Sequence, residues 1–292
     1  MVTAIGFTSS LLHKSMSVSN RTLGRATQRL ATGLRINSGA DDAAGLSLSE
    51  TLKTSIKGYQ VVEKSLGDGM SMVDTADAGL ENTASELQKI RELVVQAQND
   101  TYGTEDRNAL QNQINQSLAN IDAISNTTSF NGKTLLDGSE GTISITASAD
   151  ASSTVDIDVS GDFSSDAGDS VGSINEGNSG GSAGVALADI DITTGNLDDI
   201  LTGVDNALEN VSAARSTLGA SYNSLEDRFD SVSVAREAAI SARSRVMDSD
   251  YGREVSTKLT AYIKQAASAT MSSTNNANAS LALNLLPLVK SY

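Results

Sequence analysis

The sequence predicts a mainly α-helical fold. Both chain ends form a long antiparallel helical bundle or coiled coil, and the middle adds a β-hairpin and a small β-rich insert. Two apolar repeats flank the middle, each with a mean spacing of about 3.5 residues, the period of a coiled-coil seam. Aromatic residues make up only 3% of the 292 residues, which suits packed helices better than a thick core. No lysine or arginine lies between Lys133 and Arg215, where fifteen acidic residues account for the net charge of −15.

The first repeat begins at Leu52 and ends at Val94, with an apolar residue at every third or fourth position. A helix over this range is roughly 63 Å long at about 1.5 Å per residue, so it cannot cover its own apolar side. It therefore needs a partner helix of similar length. Its apolar positions are Leu52, Ile56, Tyr59, Val62, Leu66, Met70, Val73, Ala76, Leu80, Ala84, Leu87, Ile90 and Val94.

The second repeat begins at Leu197 and ends at Val246, and it supplies that partner. Two seams of similar length, separated by about a hundred residues, predict an antiparallel pair. Its apolar positions are Leu197, Leu201, Val204, Leu208, Val211, Ala214, Leu218, Tyr222, Leu225, Phe229, Val232, Ala235, Ala239, Ala242 and Val246.

A shorter helix is predicted between the two repeats. Thr104 is suited to its N-cap, and Glu105 and Asp106 would place negative charge in its first turn. Its apolar face consists of Leu110, Ile114, Leu118 and Ile121.

The extreme ends of the chain carry two shorter repeats, which predict a smaller helix pair. Both are rich in alanine and serine and would bury too little surface to be stable alone. We therefore predict that the terminal segments are disordered in the free monomer and become helical on association. The positions are Leu12, Met16, Ser19, Leu23, Ala26 and Leu30 in the first segment, and Val255, Leu259, Tyr262, Ala266 and Ala269 in the second.

The middle of the chain contains turn and strand patterns. Asn131-Gly132 lies between two short apolar stretches and is typical of a two-residue hairpin turn. Residues 139–194 are rich in glycine, serine and aspartate, and predict either a small β-rich outgrowth or a partly ordered loop system. The alternations that predict strands are Ile143/Ile145, Val155/Ile157/Val159 and Ile190/Ile192.

The residues offer little catalytic chemistry. The chain has no cysteine and a single histidine, His13, which fits an interface better than a general base. Asp41 and Asp42 precede the first long helix, and with Asn37 and Ser38 they are interpreted as capping residues rather than as a metal pair. We therefore predict that the protein is not an enzyme and has no catalytic, cofactor-binding or metal site.

Charge and hydropathy exclude further classes of function. Neutral arms and an acidic middle argue against nucleic-acid binding. There is no apolar run of about 18 residues that could span a bilayer, so no membrane insertion is expected. The start of the chain shows no pattern of a secretory signal peptide.

Four stretches of the sequence closely resemble signatures of the bacterial flagellins. The similarity covers about residues 1–138 and 195–270, in the family's order, and leaves the middle without a match. The four stretches are RLATGLRINSGADDAAGL at 29–46, LQKIRELVVQA at 87–97, TTSFNGK at 127–133 and ARSRVMDSDY at 242–251.

This resemblance implies a structural subunit that polymerises into the helical flagellar filament used for swimming. The filament lies outside the cell, and its subunits leave through the flagellar type III export channel without a cleaved signal peptide. The implied partners are further copies of the chain, an export chaperone, and the hook–filament junction and cap proteins. The alternative is a junction protein, which shares the terminal helices but forms a short ring.

The resemblance also implies three layers. Residues 1–42 and 253–292 would form a coiled-coil inner tube, and residues 43–138 and 195–252 would form a long-helix core with the hairpin. Residues 139–194 would form a small, variable, acidic domain exposed at the surface.

Three positions correspond to contacts of the Toll-like receptor that senses flagellins. Leu93 matches, whereas this chain has Lys89 where sensed flagellins usually have arginine and Gln113 where they have an acid. Because lysine lacks the planar fork of arginine and Gln113 removes a charge, weakened recognition is expected.

Overall fold

The computed structural model describes residues 2–150, 152–165, 187 and 190–289, and within them it contains five helices and four strands. The prediction of a mainly helical fold with a hairpin and a small β insert is confirmed. The helices are α1 Val2–Thr32, α2 Ala43–Ala97, α3 Thr104–Thr127, α4 Leu197–Met247 and α5 Tyr251–Val289. The strands are β1 Ser129–Phe130, β2 Lys133–Thr134, β3 Thr142–Thr146 and β4 Thr154–Asp158.

Backbone contacts divide the chain into two compact units. Residues 1–56 and 237–292 form the terminal unit, and residues 57–236 form the central unit. The three layers expected from the sequence are not the same division, and they stay a prediction about the assembled state.

In the central unit, α2 and α4 are antiparallel and share one hydrophobic core with α3. The predicted apolar seams provide this core, because residues three or four apart lie on one face of a helix. Ion pairs along the two helices show their register: Arg91 Nε lies 2.6 Å from Asp205 Oδ1, and Arg215 Nε lies 2.7 Å from Asp77 Oδ1. Fully buried members of the seams include Leu66, Leu80, Leu87, Val94, Val204 and Leu225.

Helix α3 begins where the sequence predicts, but its N-cap is Gly103 rather than Thr104. The carboxylate of Asp106 accepts a hydrogen bond from the Gly103 backbone N–H at 3.1 Å, so the third helical residue closes the first turn. The predicted apolar face of α3 is buried at all four positions.

Strands β1 and β2 form the predicted hairpin, with Ser129 opposite Thr134. Asn131 and Gly132 have φ values of 52° and 84°, which are the left-handed conformations that a two-residue hairpin turn requires.

Strands β3 and β4 form a second antiparallel pair. They contain two of the three predicted alternations, Ile143/Ile145 and Val155/Ile157. The third prediction is wrong, because Ile190 and Ile192 do not lie in a strand. Both side chains are nevertheless buried. The Gln111 side chain donates to the Ile190 carbonyl at 2.7 Å and accepts from the Ile192 N–H at 2.9 Å. The Gln111 amide therefore makes the two backbone hydrogen bonds that a neighbouring strand would otherwise provide.

Three glycines of α2 allow the β structure to approach this helix closely. A Cβ at Gly58 would lie 2.9 Å from the side chain of Ala149, and a Cβ at Gly69 would lie 3.1 Å from Ile145. At Gly79 it would meet the Leu136 side chain at 2.6 Å. The insert and the hairpin therefore pack directly on the long helix and share its core.

In the terminal unit, α1 and α5 pack along each other. The segments that connect them to the long helices also pair. The Arg35 N–H donates to the Met247 carbonyl at 2.6 Å, and the Ser249 N–H donates to the Gly33 carbonyl at 2.9 Å. Gly33 has a φ of 71°, which ends α1 in the left-handed conformation that glycine adopts without strain.

Candidate assembly surface

The side of α1 that faces α5 follows the predicted seam. Ser19 and Ala26 are buried at 5% and 1% exposure. The larger members of the seam, Leu12, Met16, Leu23 and Leu30, are half-buried.

The side of α5 that faces α1 differs from the predicted seam. Its buried residues are Glu254, Ala261 and Ser268, at 4–8% exposure and at intervals of seven residues. The predicted positions Leu259 and Tyr262 are 57% and 61% exposed, so they do not pack against α1. The interval of seven residues between Glu254, Ala261 and Ser268 was the signal for the observed seam, and it is weaker than the apolar pattern at Leu259 and Tyr262.

A buried ion pair explains the orientation of α5. Arg29 Nη1 lies 3.0 Å from Glu254 Oε1, and the carboxylate side chain is only 10% exposed. Further along the pair, the hydroxyls of Ser15 and Ser268 lie 3.4 Å apart. A buried carboxylate is costly without its partner, so Glu254 must face Arg29, and the small residues then lie between the helices.

The apolar stripe of α5 consequently has no partner within the described chain. Large apolar side chains of both terminal helices are 47–66% exposed, and exposed apolar side chains of this kind are expected at an interaction site. These residues are Leu11, Val18, Tyr251, Leu259, Tyr262, Ile263, Met271 and Leu281.

The two units differ strongly in charge. The terminal unit has 12 basic and 7 acidic residues, whereas the central unit has 9 basic and 29 acidic residues. Helix α1 contains no acidic residue. The apolar stripe therefore belongs to a basic pair of helices.

The predicted capping residues hold the start of α2. Asp42 Oδ1 accepts a hydrogen bond from the Gly45 N–H at 2.9 Å. Asp41 Oδ2 accepts from the Asn37 N–H and from the Ser38 hydroxyl, each at 3.2 Å. The bond from the Asn37 backbone is the main reason that the pKa of Asp41 lies below its usual value. These contacts stabilise the turn that leads into α2.

The three candidate receptor contacts lie on α2 and α3. Lys89 has an exposed side chain, with Nζ 3.6 Å from Glu86, and Gln113 is exposed. Leu93 is only 8% exposed and belongs to the shared core. Their part in receptor binding stays a prediction.

No group of three or more metal-ligating side chains occurs in the part of the chain that the structure describes. Across the same residues, no helix has the length and hydropathy needed to cross a membrane.

The fold and the exposed apolar side chains define a class of protein: a long-helix protein whose terminal helix pair exposes large apolar side chains. The family model of the bacterial flagellin N-terminal helical region matches residues 7–141, and that of the bacterial flagellin C-terminal helical region matches residues 201–286. The chain belongs to the bacterial flagellin family.

Curated relatives agree over most of the chain. A flagellin of Halalkalibacterium halodurans is 33% identical, with 83% of this chain and 84% of the relative covered. A flagellin of Bacillus subtilis is 35% identical, with 82% and 85% covered. The flagellar filament 33 kDa core protein of Treponema phagedenis is 30% identical, with 83% and 84% covered. The chain is thus a structural subunit of a flagellar filament and not an enzyme.

Proposed function

We propose that the terminal helix pair drives polymerisation of this chain into the flagellar filament. The observation that carries the proposal is the orientation of α5, which turns small and polar residues toward α1 and large apolar residues away from it. A monomer exposes this surface to water at a cost of roughly 25 cal/mol per Å², and contact with further copies removes that cost.

The proposed layers follow from the distribution of charge and apolar surface. Residues 1–42 and 253–292 form the inner tube, because they carry the unpaired apolar side chains. Residues 43–138 and 195–252 form the surrounding layer of long helices. Residues 139–194 face the medium, in keeping with the exposed Thr154, Asp156 and Asp158 along β4.

The same apolar stripe bears on export and partners. The exposed apolar residues on α5 would be prone to aggregation before assembly, which supports binding of a cytoplasmic chaperone to this segment. The subunit would then leave through the type III channel. At the filament ends the terminal helices would contact the junction and cap proteins. Recognition by the flagellin-sensing Toll-like receptor is proposed to be weak, because Lys89 and Gln113 differ from the favoured residues.

Seeded polymerisation of purified monomer, followed by electron microscopy, tests the proposal. The wild-type chain is expected to form long filaments of uniform diameter, whereas rings would indicate the junction protein. The combined change Leu259→Asn and Tyr262→Asn should abolish filaments. Leu259→Met is the matched control, because it keeps an apolar side chain at the same position, and it should polymerise. Normal filaments from the double variant would contradict the proposal.

A further inference from the structure

We propose that neighbouring subunits also meet side by side through two complementary stripes on the long helices, one on α2 and one on α4. This inference rests on the proposed function, because it names a second contact between the copies that polymerise. The α2 stripe of one copy contacts the α4 stripe of the adjacent copy.

The α2 stripe consists of Lys57, Val61 and Lys64, whose spacing of four and three residues places them on one face of the helix. Val61 is 66% exposed, and both lysines are exposed. The adjacent positions Val62 and Leu66 are buried in the core, so the stripe lies on the outward side of α2.

The α4 stripe consists of Asp230, Val234 and Glu237, with the same spacing of four and three residues. Val234 is 70% exposed, and both carboxylates are exposed. Leu225 and Val232 occupy the opposite, buried face of this helix.

The charged groups of both stripes are free to bind a partner. Among the described residues, none of the two lysines and two carboxylates has an opposite charge within 4.0 Å. One stripe thus has a valine between two positive charges, and the other has a valine between two negative charges.

The two stripes lie at the same level of the bundle. Arg236 Nε of α4 is 2.9 Å from Glu63 Oε1 of α2, and these residues lie close to Val234 and Val61 in sequence. Two different patches on one molecule that complement each other make a heterologous contact, which is the kind that an open helical polymer requires.

The antiparallel arrangement of α2 and α4 sets the pairing. In two copies of the same orientation, α2 of one runs antiparallel to α4 of the next. With Val61 opposite Val234, Lys64 lies opposite Asp230, and Lys57 lies opposite Glu237. Beyond Lys64 the match ends, because Asp68 would lie opposite Asp227. The favourable contact is therefore about two helical turns long.

Charge reversal in the full-length chain tests the contact. Lys64→Glu and Asp230→Lys should each raise the critical concentration for seeded polymerisation by about fivefold at low salt, because each replaces an attraction by a repulsion. The double variant should recover most of the loss, since every copy then again carries complementary stripes. Lys89→Glu is the control for net charge and should change the critical concentration less than Lys64→Glu.

The outcomes separate this contact from the proposed function. Thermal melts of the Lys64 and Asp230 variants should match that of the wild-type monomer, because both side chains are exposed and have no opposite charge within 4.0 Å among the described residues. If wild-type chains polymerise and both single variants match them, or if the double variant is no better than the singles, the side-by-side contact is refuted while the function stands. If wild-type chains do not polymerise, the proposed function itself fails.

Discussion

Single side chains of α3 hold parts of the insert against this helix. Gln111 makes one hydrogen bond to the backbone of Ile190 and another to the backbone of Ile192, in the manner of a neighbouring strand. Asp122 acts in the same way at Ser165, where its carboxylate accepts from the Ser165 N–H at 2.7 Å and from the Ser165 hydroxyl at 2.9 Å. Two polar side chains on one helix therefore satisfy backbone groups that pair with none of the described strands.

Removal of the Gln111 amide should loosen the segment that returns to α4. Gln111→Ala leaves a buried carbonyl and a buried N–H without partners, which should cost about 1–3 kcal/mol in the free energy of unfolding. Urea denaturation measures the loss, and faster hydrogen exchange at the Ile192 amide locates it. Gln113→Ala, an exposed change on the same helix, should alter stability by no more than about 0.5 kcal/mol. Equal effects of the two changes would contradict the assigned role.

Acid should weaken the turn that follows Ile190. Asp191 accepts hydrogen bonds from the Thr193 hydroxyl, the Thr194 hydroxyl and the Thr193 N–H, and the first of these is the main reason that its pKa falls to about 2. A pKa depressed in the folded state stabilises the fold above the unfolded value of 3.8, and this contribution disappears as the pH falls toward 2. Asp191→Ala should therefore melt below wild type at pH 6, and the difference should shrink as the pH falls through about 2. A difference as large at pH 2 as at pH 6 would refute the assignment.

At the scale of the elements, the sequence predicts those helices and turns that are determined by apolar periodicity and turn residues. The seams of α2 and α4 and the turn at Asn131-Gly132 follow from local pattern alone. The orientation of α5 does not, because it depends on the ion pair between Arg29 and Glu254, which are far apart in the sequence. The strand predicted at Ile190 fails for a similar reason, since a distant glutamine satisfies its backbone.

The terminal helices should be the least stable elements of a free monomer. Among the side chains described in α1 and α5, the buried apolar residues are Ala26 and Ala261, which bury little surface. We therefore expect these helices to be largely unfolded before assembly and to form on contact with further copies. Circular dichroism before and after polymerisation should show a gain in helix content, and its absence would sink the prediction.

At the scale of the whole molecule, charge and apolar surface are separated between the two units. The central unit holds 29 of the 36 acidic residues, while the terminal unit is basic and exposes the apolar stripe of α5. Burial of the terminal unit in a polymer would leave acidic surface facing the medium. Repulsion between filaments would then act over a Debye length of about 8 Å at physiological salt.

The absence of cysteine from the chain allows the central claim to be tested directly. Single variants Leu259→Cys and Asp156→Cys each introduce one thiol, the first on the apolar stripe and the second on the exposed face of β4. The rate of maleimide labelling is measured for each in the monomer and in the filament. Labelling at position 259 should be fast in the monomer and strongly slowed in the filament, while position 156 should react equally fast in both. Equal labelling of position 259 in monomer and filament would contradict it.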